Sequence, residues 1–196
     1  EKLLKPANRD IKPLLRFVLM PPIIGRRLIL KGVLPAFIDK VMEVINQCPQ
    51  HTFQILTKRA DRMYKYFSVH TIPENVWLGV TVENQKVKDR IDYLKKLDAP
   101  VRFLSCEPLL EDLGALDLSD IDWVIVGGES GNRARKMENW ILNIKSQCDV
   151  STGTAFFFKQ WGTWSADGVK RSAKENGCLL DGKEYHAYPT PRKIKP

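Results

Sequence analysis

Groups of polar residues recur along this chain, each placed directly after an apolar run. Lys58 and Arg59 follow TFQILT, Glu83 follows VWLGVTV, and Glu107 closes VRFLSCE. Gly127, Gly128, Glu129 and Ser130 extend IDWVIV, while Lys159, Gln160 and Trp161 complete AFFFKQW. Glu107 and Glu129, on neighbouring runs, can form a general acid–base pair or accept hydrogen bonds from a ribose or an amine. The loop GGESG over 127–131 lets backbone N–H groups approach an anion closely. Arg133, two residues on, adds a two-pronged charged contact, and Arg135 lies within reach. Glu129 cannot help an anion, so it falls to a hydroxyl or amine of the same ligand. A helix starting a few residues after the loop is expected to add its positive end.

Each of these groups also has a plainer role. A glutamate can bond to nearby backbone N–H groups, and glycines can be needed only for positive φ. Glu129 can pair with Arg133 or Arg135 and simply close the loop. Cys106 sits among the polar strand ends, but a nucleophilic thiol wants a histidine beside it. His51, His70 and His186 fall at other predicted edges. Trp161 and Trp164 can stack on a base or pack the rim.

The elements that must position these groups follow from hydrophobic pattern. Residues 52–57, 76–81, 101–105, 121–126 and 155–158 are continuous apolar or β-branched runs, the mark of strands buried on both faces. Between them lie helical patterns. AFIDKVMEVINQC (36–48) puts Phe37, Val41, Val44, Ile45 and Cys48 on one face, and ADRMYKYF (60–67) is a short helix. ENQKVKDRIDYLKKL (83–97) groups Val87, Ile91, Leu94 and Leu97. MENWILNIKSQC (137–148) stripes Trp140, Ile141, Ile144 and Cys148. Strands alternating with helices at this spacing imply right-handed crossovers and a parallel sheet, with ligands beyond the carboxyl ends of the strands. Eight barrel units need about 250 residues, so the 196 residues here fit a partial barrel better than a complete one. The expected fold is α/β, a TIM-like parallel (β/α) barrel incomplete at its N-terminus, with five to six strands. Residues 1–34 form an atypical basic segment with a candidate strand at 14–19 or 27–31, residues 35–165 the partial barrel, and 166–196 a basic, loop-rich tail. Within that tail, LLDGKEY (179–185) reads as a hairpin turning at Asp181–Gly182.

Composition narrows the classes further. The net charge of +8 is carried by the ends: residues 1–35 hold +6 and 159–196 hold +4, while the middle is −2. Basic ends can attract phosphates, so nucleic acid is one expected partner. The four cysteines, Cys48, Cys106, Cys148 and Cys178, have no CxxC spacing and read as reduced thiols. No run approaches the roughly 20 apolar residues of a membrane span. EKLLKPANRD has no signal-peptide pattern, so the expected location is cytoplasmic and no membrane partner is expected.

The runs LTKRADRM, NVWLGVTVEN, VRFLSCEPLL, IDWVIVGGESG and FFFKQWG, in that order, resemble a phage-type protein family related to the radical S-adenosylmethionine enzymes. Members carry an N-terminal cysteine motif and neighbour three-Cys-motif partner proteins. The likeness covers about residues 35–165 and implies that these five strands are the fourth to eighth of a TIM-like barrel. It would place Glu83, Glu107, Glu129, Lys159 and Gln160 around a cavity for S-adenosylmethionine and a substrate. It also implies an iron–sulfur cluster, whose three closely spaced cysteine ligands this chain lacks. The leading expectation is therefore a radical S-adenosylmethionine-type enzyme or a truncated remnant of one, binding a nucleoside or anionic ligand at the strand ends. The alternatives are a non-catalytic binding module for nucleic acid or a protein partner, and an inactive mobile-element remnant. An incomplete barrel leaves strand edges to be covered by residues 1–34, by the tail or by a second chain.

Overall fold

The computed structural model describes residues 16–19 and 35–193. Six strands form one all-parallel sheet in chain order. They are β1 (Arg16–Leu19), β2 (Phe53–Thr57), β3 (Val76–Thr81), β4 (Arg102–Cys106), β5 (Trp123–Gly127) and β6 (Ala155–Gln160). The five expected strands are neighbours in the expected order, so the α/β class holds. Every residue of β3, β4 and β5 is buried, which is why these segments show no polar alternation. The strand expected at 14–19 corresponds to β1, paired with β2 from Arg16↔Phe53 to Leu19↔Leu56. The other candidate, 27–31, lies outside the described residues, as does most of the 1–34 segment. Among the described residues β6 does not return to β1, so the sheet is not closed.

The helices are α1 (Pro35–Asn46), α2 (Ala60–Phe67), α3 (Arg90–Lys95), α4 (Trp140–Val150) and a short α5 (Ala173–Asn176). Buried residues of the first four share one cluster with one sheet face: Met42, Ile45, Met63, Phe67, Ile91, Leu94, Ile141 and Ile144 join Leu78, Val80, Leu104 and Val124. The opposite face has its own cluster, Trp77, Val101, Phe103, Trp123 and Ile125, with Leu56, Ala155 and Phe157 beside it. No described helix contributes to that cluster.

Three helix expectations need correction. In α1 the core face is Ile38, Val41, Met42 and Ile45, with Cys48 packed just beyond the helix, so Val41, Ile45 and Cys48 hold, while Phe37 stands one residue off that stripe, 48% exposed. The pattern over 83–97 breaks in two, a 3-10 turn at Gln85–Val87 and then α3, because the Asn84 side chain accepts from the Lys86 N–H and tightens the first turn. The last helix starts at Trp140 rather than 137, although Met137 is buried.

The tail is packed on the sheet. Residues Leu179–Leu180 (β7) and Lys183–Glu184 (β8) form the expected hairpin, with positive φ at Asp181 and Gly182, as a type I′ turn requires. The chain then runs antiparallel along the outer edge of β6. Phe158 N–H donates to Tyr185 O, Ala187 N–H to Phe156 O, and Phe157 bridges His186. Trp123 Nε1 donates to Ala187 O at 2.9 Å, and Tyr188 packs on the Trp123 and Phe157 rings. Arg192 ties the strap down, its Nε donating to Asp122 Oδ1 at 2.7 Å, while Asp122 Oδ2 accepts the Arg102 N–H at 2.7 Å. The β6 edge is thus covered by the tail, one of the three covers expected for an incomplete barrel.

Candidate functional site

Alternation along the strands sets which side chains share the helix-free face. On β3 these are Trp77, Gly79 and Thr81, continuing to Glu83; on β4, Phe103 and Ser105, continuing to Glu107. The register pairs Thr81 with Ser105, and Glu83 and Glu107 each follow two residues later, just past the ends of these adjacent strands. The face therefore grades from aromatic at the amino ends of the strands to charged at their carboxyl ends.

Each glutamate is largely buried and closed by one exposed lysine. The Lys58 Nζ lies 2.5 Å from Glu83 Oε1, with side chains 51% and 13% exposed. Arg90, reaching from α3, donates from Nη1 to Glu83 Oε2 at 2.9 Å and to Thr81 O at 2.6 Å. Burial pushes the Glu83 carboxyl up, but the Lys58 hydrogen bond and the Lys58 and Arg90 charges outweigh it and hold it below its ordinary range. The Lys159 Nζ lies 3.2 Å from Glu107 Oε1, with exposures of 56% and 22%. Lys159 follows Ala155 and Phe157 on the helix-free face, and the register slips beside it: Val126 pairs with Phe158 but Gly127 pairs with Gln160, leaving Lys159 as the extra residue.

The glycine loop is built differently from an anion cradle. Gly128 N–H donates to Gln160 O, and Gly131 N–H donates to Thr163 Oγ1 at 2.9 Å, so both amides are committed. A Cβ on Gly128 would stand 1.9 Å from Trp161 O, and one on Gly127 would stand 2.8 Å from Glu107 Oε1. These two glycines make room for the neighbouring chain and for the Glu107 carboxylate. Glu129 closes the loop: it accepts from Arg135 Nε, Nη2 and the Arg135 backbone N–H, each at 2.8 Å. Those bonds hold its carboxyl well down, at about 2. The loop-closing role of Glu129 is therefore the one the geometry shows, through Arg135 rather than Arg133. The helix meant to support the loop starts only at Trp140, and Asn139 makes no side-chain cap bond there. Ser130 accepts from Gln160 Nε2 at 3.3 Å, and Arg133 is exposed.

Three other expected residues sit apart from the glutamate–lysine pairs. Arg59 is engaged by Asp61 at the start of α2, through Nε at 3.1 Å and Nη2 at 2.9 Å. Trp161 is buried against Phe158, its Nε1 donating to Leu179 O at 2.8 Å, so it anchors the hairpin and offers no ring for stacking. Cys106 is fully buried on the helix-covered face, and burial pushes its thiol far up, which removes it as a nucleophile. Sequence reasoning missed Arg90, Ser105 and Thr163. Ser105 was findable by counting two back from Glu107; it donates to Glu107 Oε2 at 3.4 Å. Among the described residues no group of three or more His, Cys, Asp or Glu is placed to hold a metal ion. No described helix is long and apolar enough to cross a membrane.

Fold and site together define an α/β protein whose parallel sheet gathers paired carboxylates and ammonium groups at its carboxyl edge. Residues 11–189 match the family described as Protein of unknown function (DUF5131), and the chain belongs to that family. Neither the curated proteins nor the solved structures provide a match.

Proposed function

We propose that the chain binds a small ligand carrying an ammonium or hydroxyl groups next to an anion, with S-adenosylmethionine as the first candidate, at the carboxyl edge of a partial TIM-like barrel. The barrel reading is supported by helices confined, among the described residues, to one face of an all-parallel sheet. A doubly wound sheet would carry helices on both. The ligand reading rests on one observation: Glu83 and Glu107 follow the ends of the adjacent strands β3 and β4, largely buried, each paired with an exposed lysine, and Glu83 with Arg90 as well. A ligand ammonium or hydroxyl can donate to Glu107 while a ligand carboxylate takes Lys159, replacing one ion pair by two charge-assisted contacts. In this reading Ser130 and the exposed Arg133, on the loop that follows β5, take a second anionic group of the ligand.

An iron–sulfur cluster does not fit the residues present. Cys106 and Cys148 are buried in the helix-side core, and Cys48 and Cys178 lie on separate segments, so no three thiolates converge. No radical step is assigned to this chain, and the reading is one of binding. Calorimetric titration with S-adenosylmethionine, nucleotides and phosphate tests it on the wild type, Glu107→Gln and Arg133→Ala. Binding in the micromolar range that weakens at least tenfold in Glu107→Gln supports the reading. Absence of binding below millimolar concentration, or a variant altered only in melting temperature, would refute it.

A further inference from the structure

The lobe that follows β6, with the 131–136 segment it rests on, carries Lys136 and Lys170, which the glutamate–lysine site does not use, beside Arg133, which the two readings share. Residues 163–171 form a small loop bridged at Trp164↔Lys170, and it docks on the 131–136 segment. Thr163 donates its N–H to Glu129 O and accepts the Gly131 N–H, and Trp164 Nε1 donates to Ala134 O at 2.7 Å. Lys136 lies along the turn at Gly168, where its Nζ would be 3.3 Å from an added Cβ. Lys170 holds its Nζ 4.7 Å over the centre of the Trp164 ring. Arg133, Lys136 and Lys170 are all exposed, and among the described residues none of the three has a carboxylate partner. The other cations of the lobe differ: Arg135 is neutralised by Glu129 and Arg171 by Asp167.

We infer that this lobe is a docking surface for single-stranded nucleic acid, with Arg133, Lys136 and Lys170 taking phosphates and Trp164 taking a base. Three unpaired cations on two adjoining segments match a line of phosphates, and an aromatic ring among them supplies a sequence-tolerant stacking platform. Lys170 couples the two. A phosphate that draws its ammonium away uncovers the Trp164 π-face for the neighbouring base, and the cation–π contact is exchanged for a stack. An anionic membrane would use the same charges but needs apolar insertion. Val169 is the one large exposed apolar side chain of the lobe among the described residues, and Trp164 is tethered by its N–H.

The measurement is fluorescence anisotropy of labelled DNA and RNA single strands of about 15 nucleotides. It is made on the full chain, on Lys136→Ala/Lys170→Ala, on Trp164→Phe, and on a control, Lys40→Ala/Lys65→Ala, on the distant helices α1 and α2. Three phosphate contacts give a log–log salt slope near −2, or about 18-fold weaker binding between 50 and 200 mM salt. The double variant is expected to bind at least tenfold more weakly with the slope reduced by about 1.4, while the control stays within twofold. Circular dichroism checks that each variant is folded, and Glu107→Gln, which alters the strand-edge site, is expected to bind the strands as the wild type does. Three outcomes overturn the inference. The double variant binds within twofold of the wild type, which would place binding elsewhere, including the basic N-terminal residues. The wild type binds no strand below about 100 µM at 50 mM salt. Phosphatidylserine vesicles are bound and oligonucleotides are not.

Discussion

Replacing Gly128 by alanine separates a glycine kept for close chain approach from one kept for ligand access. The new Cβ would lie 1.9 Å from Trp161 O, against the roughly 3.4 Å of ordinary contact, and the obstacle is backbone rather than a flexible side-chain end. Relieving it requires the β5 and β6 loops to part by more than 1 Å, which strains the Gly128 N–H bond to Gln160 O and the Thr163 bonds beyond it. Overpacking of this kind costs roughly 3 kcal/mol, and in a domain of this size that lowers Tm by about 6–12 °C. Gly127→Ala is the comparison. Its Cβ would meet Glu107 Oε1 at 2.8 Å, a group that can swing aside, so Tm should fall by about 1–4 °C while the Glu107–Lys159 pair is disturbed. Differential scanning calorimetry with ligand titration on both variants reads the two effects separately. If Gly128→Ala melts within about 2 °C of the wild type, the close approach is not what requires glycine and the reasoning fails.

Three further substitutions address other contacts. Asp122→Ala removes the acceptor of the buried Arg102 N–H and the partner of Arg192, and should cost about 3 kcal/mol. Arg192→Ala, a part-exposed cation, should cost about 1 kcal/mol; equal losses in thermal unfolding would contradict the assigned roles. Glu129 has its carboxyl held at about 2 by Arg135, so its stabilisation is present above its ordinary value of 4.5 and is lost as pH falls from there towards 2. Arg135→Ala should flatten acid unfolding in that window, by no more than about 1 kcal/mol because the guanidinium is well exposed; an unchanged acid limb would refute this.

The strand order was readable because β3, β4 and β5 are buried on both faces and so appear as unbroken apolar runs. The hairpin at Asp181–Gly182 was readable for a local reason, the demand of its turn for positive φ. The charged strand ends could be located, but their pairing could not. Whether Glu129 serves a ligand or Arg135 depends on how the loop folds back over six residues, and no periodicity encodes that. Lys159 falls on the face of Ala155 and Phe157 by plain alternation, but that its ammonium meets Glu107, two strands away, is a tertiary fact no strand pattern encodes. Trp161 looked like a rim aromatic because its partner, Leu179 O, comes from a hairpin eighteen residues later. Phe37 misled for a simpler reason: one helical position, 100°, separates it from the stripe that is buried.

The strap along β6 has a consequence for how the chain is made. β6 is complete at Gln160, yet its outer edge is paired only when Tyr185 and Ala187 arrive, and its lock, Arg192, bonds a residue 70 positions earlier. At a synthesis rate of roughly 5–20 residues per second, the 27 residues from Gln160 to Ala187 take about 1–5 s. During that interval the nascent sheet presents an unpaired, aromatic-rich edge in a crowded ribosomal neighbourhood, where other emerging chains offer strands of their own. Codon choice across residues 161–187 therefore becomes a lever on yield: slowing the ribosome there lengthens the exposure, and speeding it shortens the time before the edge is sealed.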